Sequence, residues 1–271
     1  MTLVQQFLES VCVLDTETTG LDPTTAEIVE FACGRYEASQ WKVTSQLFNT
    51  PTGIPPEASA KNQISNRMLQ GQPYFNQNHL LPILDMIGEP RYFVAHNSRY
   101  DREVLSSSFT RMAQPDLALM FATPELWICT WRVARRIYQH EFRDQIYGQN
   151  YLRYHLDLPV PDSLGVHRAG DDVMVCGALL ERLVEDSIRL GFVSSEKPIG
   201  PQLVEMTLSP IPVLNWPIGK YRGQTLQSIP TDYYLWAIEN QGILQENNPG
   251  YDFDLAESVR QELEARLSSG A

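Results

Sequence analysis

The segment "VCVLDTET", residues 11–18, leaves little freedom in how this chain can fold locally. Its first four residues, Val11 to Leu14, are apolar without a break, as in a strand covered on both faces at the middle of a sheet. Asp15 and Glu17 follow two apart. A strand points residues i and i+2 to the same side, so these two carboxylates converge on one spot. They then sit at the carboxyl end of a central strand, where open α/β sheets commonly place their sites.

Two further acidic positions join them. Asp101 closes the segment "AHNSRYD", and Asp172 closes "HRAGDD", five residues after His167. One carboxylate alone reads as a solvated strand end, and one loop histidine as a residue without a role. Four carboxylates and a histidine together suit a site that holds two divalent cations and activates a water. Asp and Glu without Cys favour the hard cations Mg²⁺ or Mn²⁺. The chemistry this set points to is phosphodiester cleavage. His167 is the natural general base, because an imidazole with a pKa of roughly 6.5 accepts a proton at neutral pH. His96 and Asn97 need not touch metal, and a histidine at a strand end is ordinarily a hydrogen-bonded structural residue.

The 271 residues suffice for one substantial domain and a small appendage. Apolar residues make up 43% and charged ones 20%, as in an ordinary globular protein. No apolar run approaches the roughly 20 residues that span a bilayer, so no membrane role is expected. The N-terminus lacks a basic region and runs straight into the carboxylate-bearing strand, so no signal peptide is expected. Cys12, Cys33, Cys129 and Cys176 stand singly among apolar residues, which fits reduced thiols in a cytoplasmic protein better than zinc or disulfides. The net charge of −12 runs against a polynucleotide partner unless metal neutralises the site and a basic surface exists locally.

Residues from about 9 to 50 read as three strands in an antiparallel meander: "VCVLD", "EIVEFACGRYE" and "WKVTSQLFNTP". A fourth strand is expected in "RYFVAHN". After it, Asn97 or Ser98 caps a helix carrying Asp101 in its first turn. "ELWICTWRVARRIYQ" reads as a helix or a strand-to-helix passage, and from Ala169 to about Leu190 apolar residues recur at helical spacing. The interleaving predicts an α/β fold, a mixed central sheet covered by helices on both faces. Residues 194–211, "SSEKPIGPQLVEMTLSPI", read as a Pro-rich linker between a domain over 1–193 and a small module over 212–271.

Three motifs in order carry a resemblance. D-x-E-T-x-G is matched by Asp15, Glu17, Thr18 and Gly20. A-H-N-x-x-[FY]-D is matched by Ala95, His96, Asn97, Tyr100 and Asp101, and H-x-A-x-x-D by His167, Ala169 and Asp172. The chain resembles the DEDDh 3′–5′ exonuclease superfamily, most closely its exodeoxyribonuclease X-like members, over residues 9 to 190 and again over about 212 to 240. That resemblance implies a ribonuclease H-like exonuclease fold. It implies that Asp15 bridges two metals, that Glu17 and Asp172 complete the first site, and that Asp101 acts largely through ordered water. It places the backbone of Glu17 and Thr18 at the terminal 3′-hydroxyl and Leu21 against the terminal base, although a core role for Leu21 stands equally open. The subclass with Tyr four residues before the last Asp is excluded, since Arg168 stands there. Where relatives carry a histidine in A-x-x-x-H-x-I, this chain has Asn62, which puts local substrate contacts in doubt.

Arg132, Arg135 and Arg136 fall on one helix face and offer a phosphate track, or else a solvated face. In the C-terminal module Lys220 and Arg222 stand among Trp216, Tyr221, Tyr233, Tyr234 and Trp236, a mixture that suits single-strand stacking. Tyr234 and Trp236 are expected in the module's core. The expected activity is metal-dependent 3′–5′ removal of 5′-mononucleotides from single-stranded DNA or frayed 3′ ends, as in DNA repair. RNA as substrate, a non-catalytic accessory role, and a homodimer of the kind relatives often form stay open.

Overall fold

The computed structural model describes residues 2–139, 147–165, 167–248 and 250–269. They fall into two compact units that divide after Leu208. In the first, strands β1 (Val11–Thr18), β2 (Ile28–Glu37), β3 (Gln40–Leu47), β4 (Tyr92–Ala95) and β5 (Trp127–Cys129) form one sheet in the order β3-β2-β1-β4-β5. β1 pairs antiparallel with β2 and parallel with β4; β2–β3 is antiparallel and β4–β5 parallel. The helices of this unit are α1 (Leu3–Glu9), α2 (Pro56–Asn62), α3 (Asn66–Leu69), α4 (Leu80–Ile87), α5 (Arg99–Arg111), α6 (Pro115–Ala122), α7 (Thr130–Ile137), α8 (Gln149–His155), α9 (Ala169–Arg189) and α10 (Ile199–Leu208).

The apolar half of β1 is buried on both faces, as its unbroken run requires. Val11 and Val13 pack with Ala32, Val94 and Ile128 against Val173, Leu179, Leu180 and Leu183 of α9. Cys12 and Leu14 point the other way, into Phe31, Phe93, Leu105 and Phe109 beneath α5. This alternation decides where the carboxylates go: Asp15 and Glu17 continue the α9 side, and Thr16 continues the α5 side. α9 lies close to the sheet because two positions have no side chain. A Cβ on Gly177 would come within 2.6 Å of Trp41, and one on Gly34 within 2.7 Å of Val173. All four cysteines are buried and free. Among the described residues, no helix is long and apolar enough to cross a membrane.

Residues 194–211, expected as a linker, instead contain α10, whose Ile199, Leu203, Val204 and Met206 are buried in the same core as α9. Pro198 and Pro201 misled the composition argument. They precede and open the helix, where a missing N–H costs no hydrogen bond. The Thr207 hydroxyl accepts the Cys129 N–H (3.0 Å), which ties α10 to the end of β5. The boundary therefore moves from 193 to 208. A chain ended at residue 195 loses four buried side chains worth roughly 1.5–3 kcal/mol each, and it is expected to aggregate or melt far below the parent. A chain ended at Leu208 is expected to keep one cooperative transition. Equal thermal stability of the two truncations would show that α10 is dispensable.

The second unit holds α11 (Thr231–Asn240) and α12 (Phe253–Ser269) around Trp216, Leu226, Ile229, Tyr234, Leu244, Leu255 and Val259. Tyr234 is in this core as expected. Trp236 is not: it is 46% exposed, because the face of α11 that carries Tyr234 and Ala237 turns it outward.

Candidate functional site

Three elements meet at the carboxyl end of β1. β1 supplies Asp15 and Glu17, the first turn of α5 supplies Asp101, and the first turn of α9 supplies Asp172. Ser98 is the N-cap of α5 but makes no side-chain cap bond. Asp101 is buried, and the Thr16 hydroxyl donates to its Oδ1 (2.8 Å), a contact that follows from Thr16 facing α5. Asp172 is fixed from two directions. Its Oδ2 accepts the backbone N–H of His167 (2.9 Å), and Gln149 Nε2 donates to its Oδ1 (3.1 Å) and its carbonyl (2.9 Å). Ligand atoms of Glu17, His167 and Asp172 all lie within 4.8 Å of one another, a spacing a cation could bridge.

The crowding shows in the acid strengths. Burial first, then the carboxylates of Asp101, Asp172, Glu17 and Glu30, hold the Asp15 carboxyl well above its usual range. Burial, followed by Asp172 and Glu30, pushes Glu17 up to about 8, with Lys61 of α2 pulling the other way. Burial raises Asp101 to about 7 against the pull of the Thr16 hydrogen bonds, and raises Asp172 to about 6. Carboxylates gathered this tightly lack positive charge, and an all-oxygen donor set with one imidazole fits hard divalent cations.

His167 is exposed and sits at φ +60°, an uncommon conformation for a residue with a side chain. The next residue anchors it. Arg168 forks onto the buried Glu30 of β2, with Nε–Oε2 3.0 Å and NH2–Oε1 3.1 Å. Glu30 also accepts the Ala169 N–H (3.2 Å) and the Ser45 hydroxyl (2.7 Å). Glu30 lies directly across the ladder from Glu17, so one clamp joins β2, the His167 loop and the start of α9. Removing one partner of a buried pair costs on the order of 3 kcal/mol, and less here because Arg168 keeps water contact. Glu30→Gln is expected to lower the melting temperature by several degrees. It should also cut the turnover rate roughly ten- to a hundredfold through misplacement of His167. Unchanged melting and unchanged rate would remove the clamp from the site.

His96 is a structural residue. Burial pushes its pKa down to about 4, and its Nε2 donates to the Tyr147 carbonyl (2.9 Å) while Nδ1 accepts from Thr130 Oγ1 (2.9 Å). At the mouth, the Thr18 hydroxyl donates to the Tyr100 hydroxyl (2.5 Å), which in turn donates to the Gly20 carbonyl (2.5 Å). Asn62 is buried, with its amide aimed at the Thr18 carbonyl (3.5 Å) and its Oδ1 accepting the Ile64 N–H (3.0 Å). It thus secures the end of β1. Leu21 is 83% exposed, which rules out the core role left open for it.

These residues line a cleft of about 770 Å³ with Asp15 and Asp101 at its floor and Leu21, Lys61, Tyr100 and Tyr151 at its walls. Arg132, Arg135 and Arg136 are absent from the described lining. Arg132 Nε donates to the Thr207 carbonyl at the end of α10, and Arg135 lies over the Trp131 ring (5.2 Å). All three are half-buried on α7, against which α10 packs. Lys220 and Arg222 belong to the second unit. Gln149, Glu30 and Arg168 contact the cluster or its loop and are residues that motif reading passed over. Of these, only Glu30 left a trace, as a lone acid in the apolar run "EIVEFACG".

Residues 12–180 match a family described as Exonuclease (RNase_T). Exodeoxyribonuclease 10 of Escherichia coli (strain K12) is 26% identical over 236 residues, 84% of this chain and 90% of that one. DNA polymerase III subunit epsilon of Treponema pallidum (strain Nichols) is 27% identical over 171 residues, 63% of this chain and 74% of that one. Among solved structures, E. coli Exonuclease I in complex with a dT13 oligonucleotide superposes with a TM-score of 0.54 at 15% identity, over 67% of this chain and 42% of that one, a likeness of fold.

Proposed function

Because the chain belongs to the exonuclease (RNase_T) family, as a DEDDh, exodeoxyribonuclease X-like member, we propose that it removes 5′-mononucleotides from DNA 3′ ends, single-stranded or frayed. Its tools on this reading are two divalent cations, Mg²⁺ or Mn²⁺, and a histidine general base. The observation that carries the reading is the convergence of Asp15, Glu17, Asp101 and Asp172 beside His167, with carboxyl groups that burial and mutual repulsion leave short of positive charge.

Asp15, Glu17 and Asp172 would hold the cations, with Asp101 reaching them through water. When bound, a pair of divalent cations supplies an activated water and neutralises charge on the phosphoryl oxygens. The chain's own residues do the rest. The Glu17–Thr18 backbone receives the terminal 3′-hydroxyl, and the Asn62 and Tyr100 contacts keep that backbone in place. Leu21 offers its exposed side chain to the terminal base, a contact indifferent to base identity. An imidazole nitrogen of His167 takes the proton from the attacking water as the bond from phosphorus to the 3′-oxygen breaks, its electron pair leaving with that oxygen.

The relative named an exodeoxyribonuclease supports DNA over RNA. Matched DNA and RNA 20-mers in Mn²⁺ are the test. DNA is expected to be degraded at least about tenfold faster, a difference of about 1.4 kcal/mol in barrier. Equal or faster loss of RNA would make the chain an exoribonuclease with the same site.

A further inference from the structure

The second unit poses a charge puzzle of its own. Residues 209–271 contain four cationic side chains, Lys220, Arg222, Arg260 and Arg266, against eight carboxylic ones. Arg260 pairs with Glu257 and Glu264, and Arg266 pairs with Glu262 while donating to the carbonyls of Ile229 and Gln227. Among the described residues, Lys220 and Arg222 have no carboxylate at ion-pair distance. An acidic unit has left its two uncommitted cations side by side.

They stand at the tip of a tight reversal. Leu226 N–H donates to the Leu214 carbonyl (3.0 Å), Trp216 N–H to Gln224 (2.8 Å), and Gly223 N–H back to Trp216 (2.8 Å). Gly219 (φ +59°) and Gly223 (φ +82°) flank Lys220, Tyr221 and Arg222, and supply the left-handed conformations the reversal needs. The tip leans on a run of aromatic rings. Lys220 Nζ lies 5.0 Å from the centre of Tyr221, Tyr221 meets Tyr233 edge-on at 4.6 Å, and Tyr233 lies 5.3 Å from Trp236 at 37°. Buried Trp216 supports Tyr233 from beneath at 5.6 Å. Tyr233 and Trp236 are three apart on α11 and so share a face. Trp236 presents 46% of its surface to water, so the core does not explain its presence.

One exposed ring, Trp236, flanked by the half-buried rings of Tyr233 and Tyr221 and by two cations without carboxylate partners, matches a ligand in which flat bases alternate with phosphates. Leu235 and Ile238, exposed on a different stripe of α11, are the feature a protein partner would use instead. The two uncommitted cations decide between these readings, since a purely apolar dock has no use for them. We propose that this face of the C-terminal unit is a second binding site for single-stranded polynucleotide, with bases against Trp236, Tyr233 and Tyr221 and phosphates on Lys220 and Arg222. It deepens the exonuclease reading above and rests on it for the identity of the polymer.

The test uses the full chain, a fluorescein-labelled dT20 and Ca²⁺ to hold back cleavage, with affinity measured against salt. Trp236→Ala is expected to weaken binding about 5- to 150-fold, the range for losing one base–aromatic stack, and Trp236→Phe to restore most of it. The double variant Lys220→Gln, Arg222→Gln is expected to lower the salt slope by about 1.4, at about 0.7 per phosphate contact on a single strand. Crosslinking of a 5-iododeoxyuridine oligonucleotide to Trp236 or Tyr233 would place the strand on this face. Wild-type affinity and slope in both the Trp236→Ala and the double variant, each melting as the parent does, would overturn the proposal. Hydrolysis by the wild-type chain in Mn²⁺ is scored separately. A chain that cleaves while its variants bind unchanged loses only the second site, and a chain that never cleaves loses the exonuclease reading.

Discussion

Asp15→Ala is expected to abolish cleavage, with the rate falling at least about a thousandfold, or about 4 kcal/mol of barrier. Asp15 is the carboxylate on which the other acids press: Asp101, Asp172, Glu17 and Glu30 all raise its pKa, after burial itself. On the proposed reading its removal takes a cation ligand from the centre of the site, and it leaves the packed half of β1 untouched. The same crowding predicts a stability effect that does not depend on activity. The unfolded chain releases these protons near pH 4, whereas the folded chain holds them until about 6 at Asp172, about 7 at Asp101 and about 8 at Glu17. Stability contributed by a raised carboxyl is complete below the unfolded pKa and is lost as pH climbs through the folded one. Metal-free protein is therefore expected to melt lower at pH 8 than at pH 5, and Mg²⁺ to raise the melting temperature more at pH 8. Asp15→Asn removes part of the repulsion, so without metal it is expected to melt above the parent at pH 8, with the gap closing at pH 5. Thermal melts in EDTA and in Mg²⁺ at the two pH values check this. A metal-saturated Asp15→Ala protein within tenfold of wild-type activity would count against the site as described.

His167→Ala is expected to slow turnover by roughly 10² to 10⁴ and to leave cation and substrate binding nearly intact. The imidazole side chain is exposed, while its backbone N–H is what holds Asp172 Oδ2. Truncation to alanine keeps that N–H, so the carboxylate stays oriented and the loss reports on the proton acceptor alone. Single-turnover cleavage across pH 5.5–9 is the measurement. A mutant with both the parent's rate and the parent's fall-off at low pH would show that another group accepts the proton.

The convergence of the carboxylates was legible because a strand's two-residue period places Asp15 and Glu17 together without further information. Supporting contacts were less so. Gln149 orients Asp172 from 23 residues away, and nothing in its surroundings announces it. The Glu30–Arg168 fork spans 138 residues and depends on a cross-strand register that local sequence does not contain. Periodicity correctly put Arg132, Arg135 and Arg136 on one face of α7 but carried no information about their neighbours, which for Arg132 include the end of α10. α10 itself was hidden by two prolines that are harmless at a helix start. Trp236 shows the converse: an aromatic residue in a small module was assigned to the core on composition, and the helix turned it to solvent.

The central claim is that this acidic cluster hydrolyses a polynucleotide from its 3′ end with divalent cation. A 5′-labelled single-stranded DNA, resolved at one-nucleotide spacing over time, tests it most directly. In Mn²⁺ the account predicts a ladder that shortens stepwise from the 3′ end, that stalls at an internal phosphorothioate block, and that is absent in EDTA and with Asp15→Ala. Immediate release of the labelled 5′-terminal nucleotide, internal cuts without a ladder, or the same ladder from Asp15→Ala would contradict it.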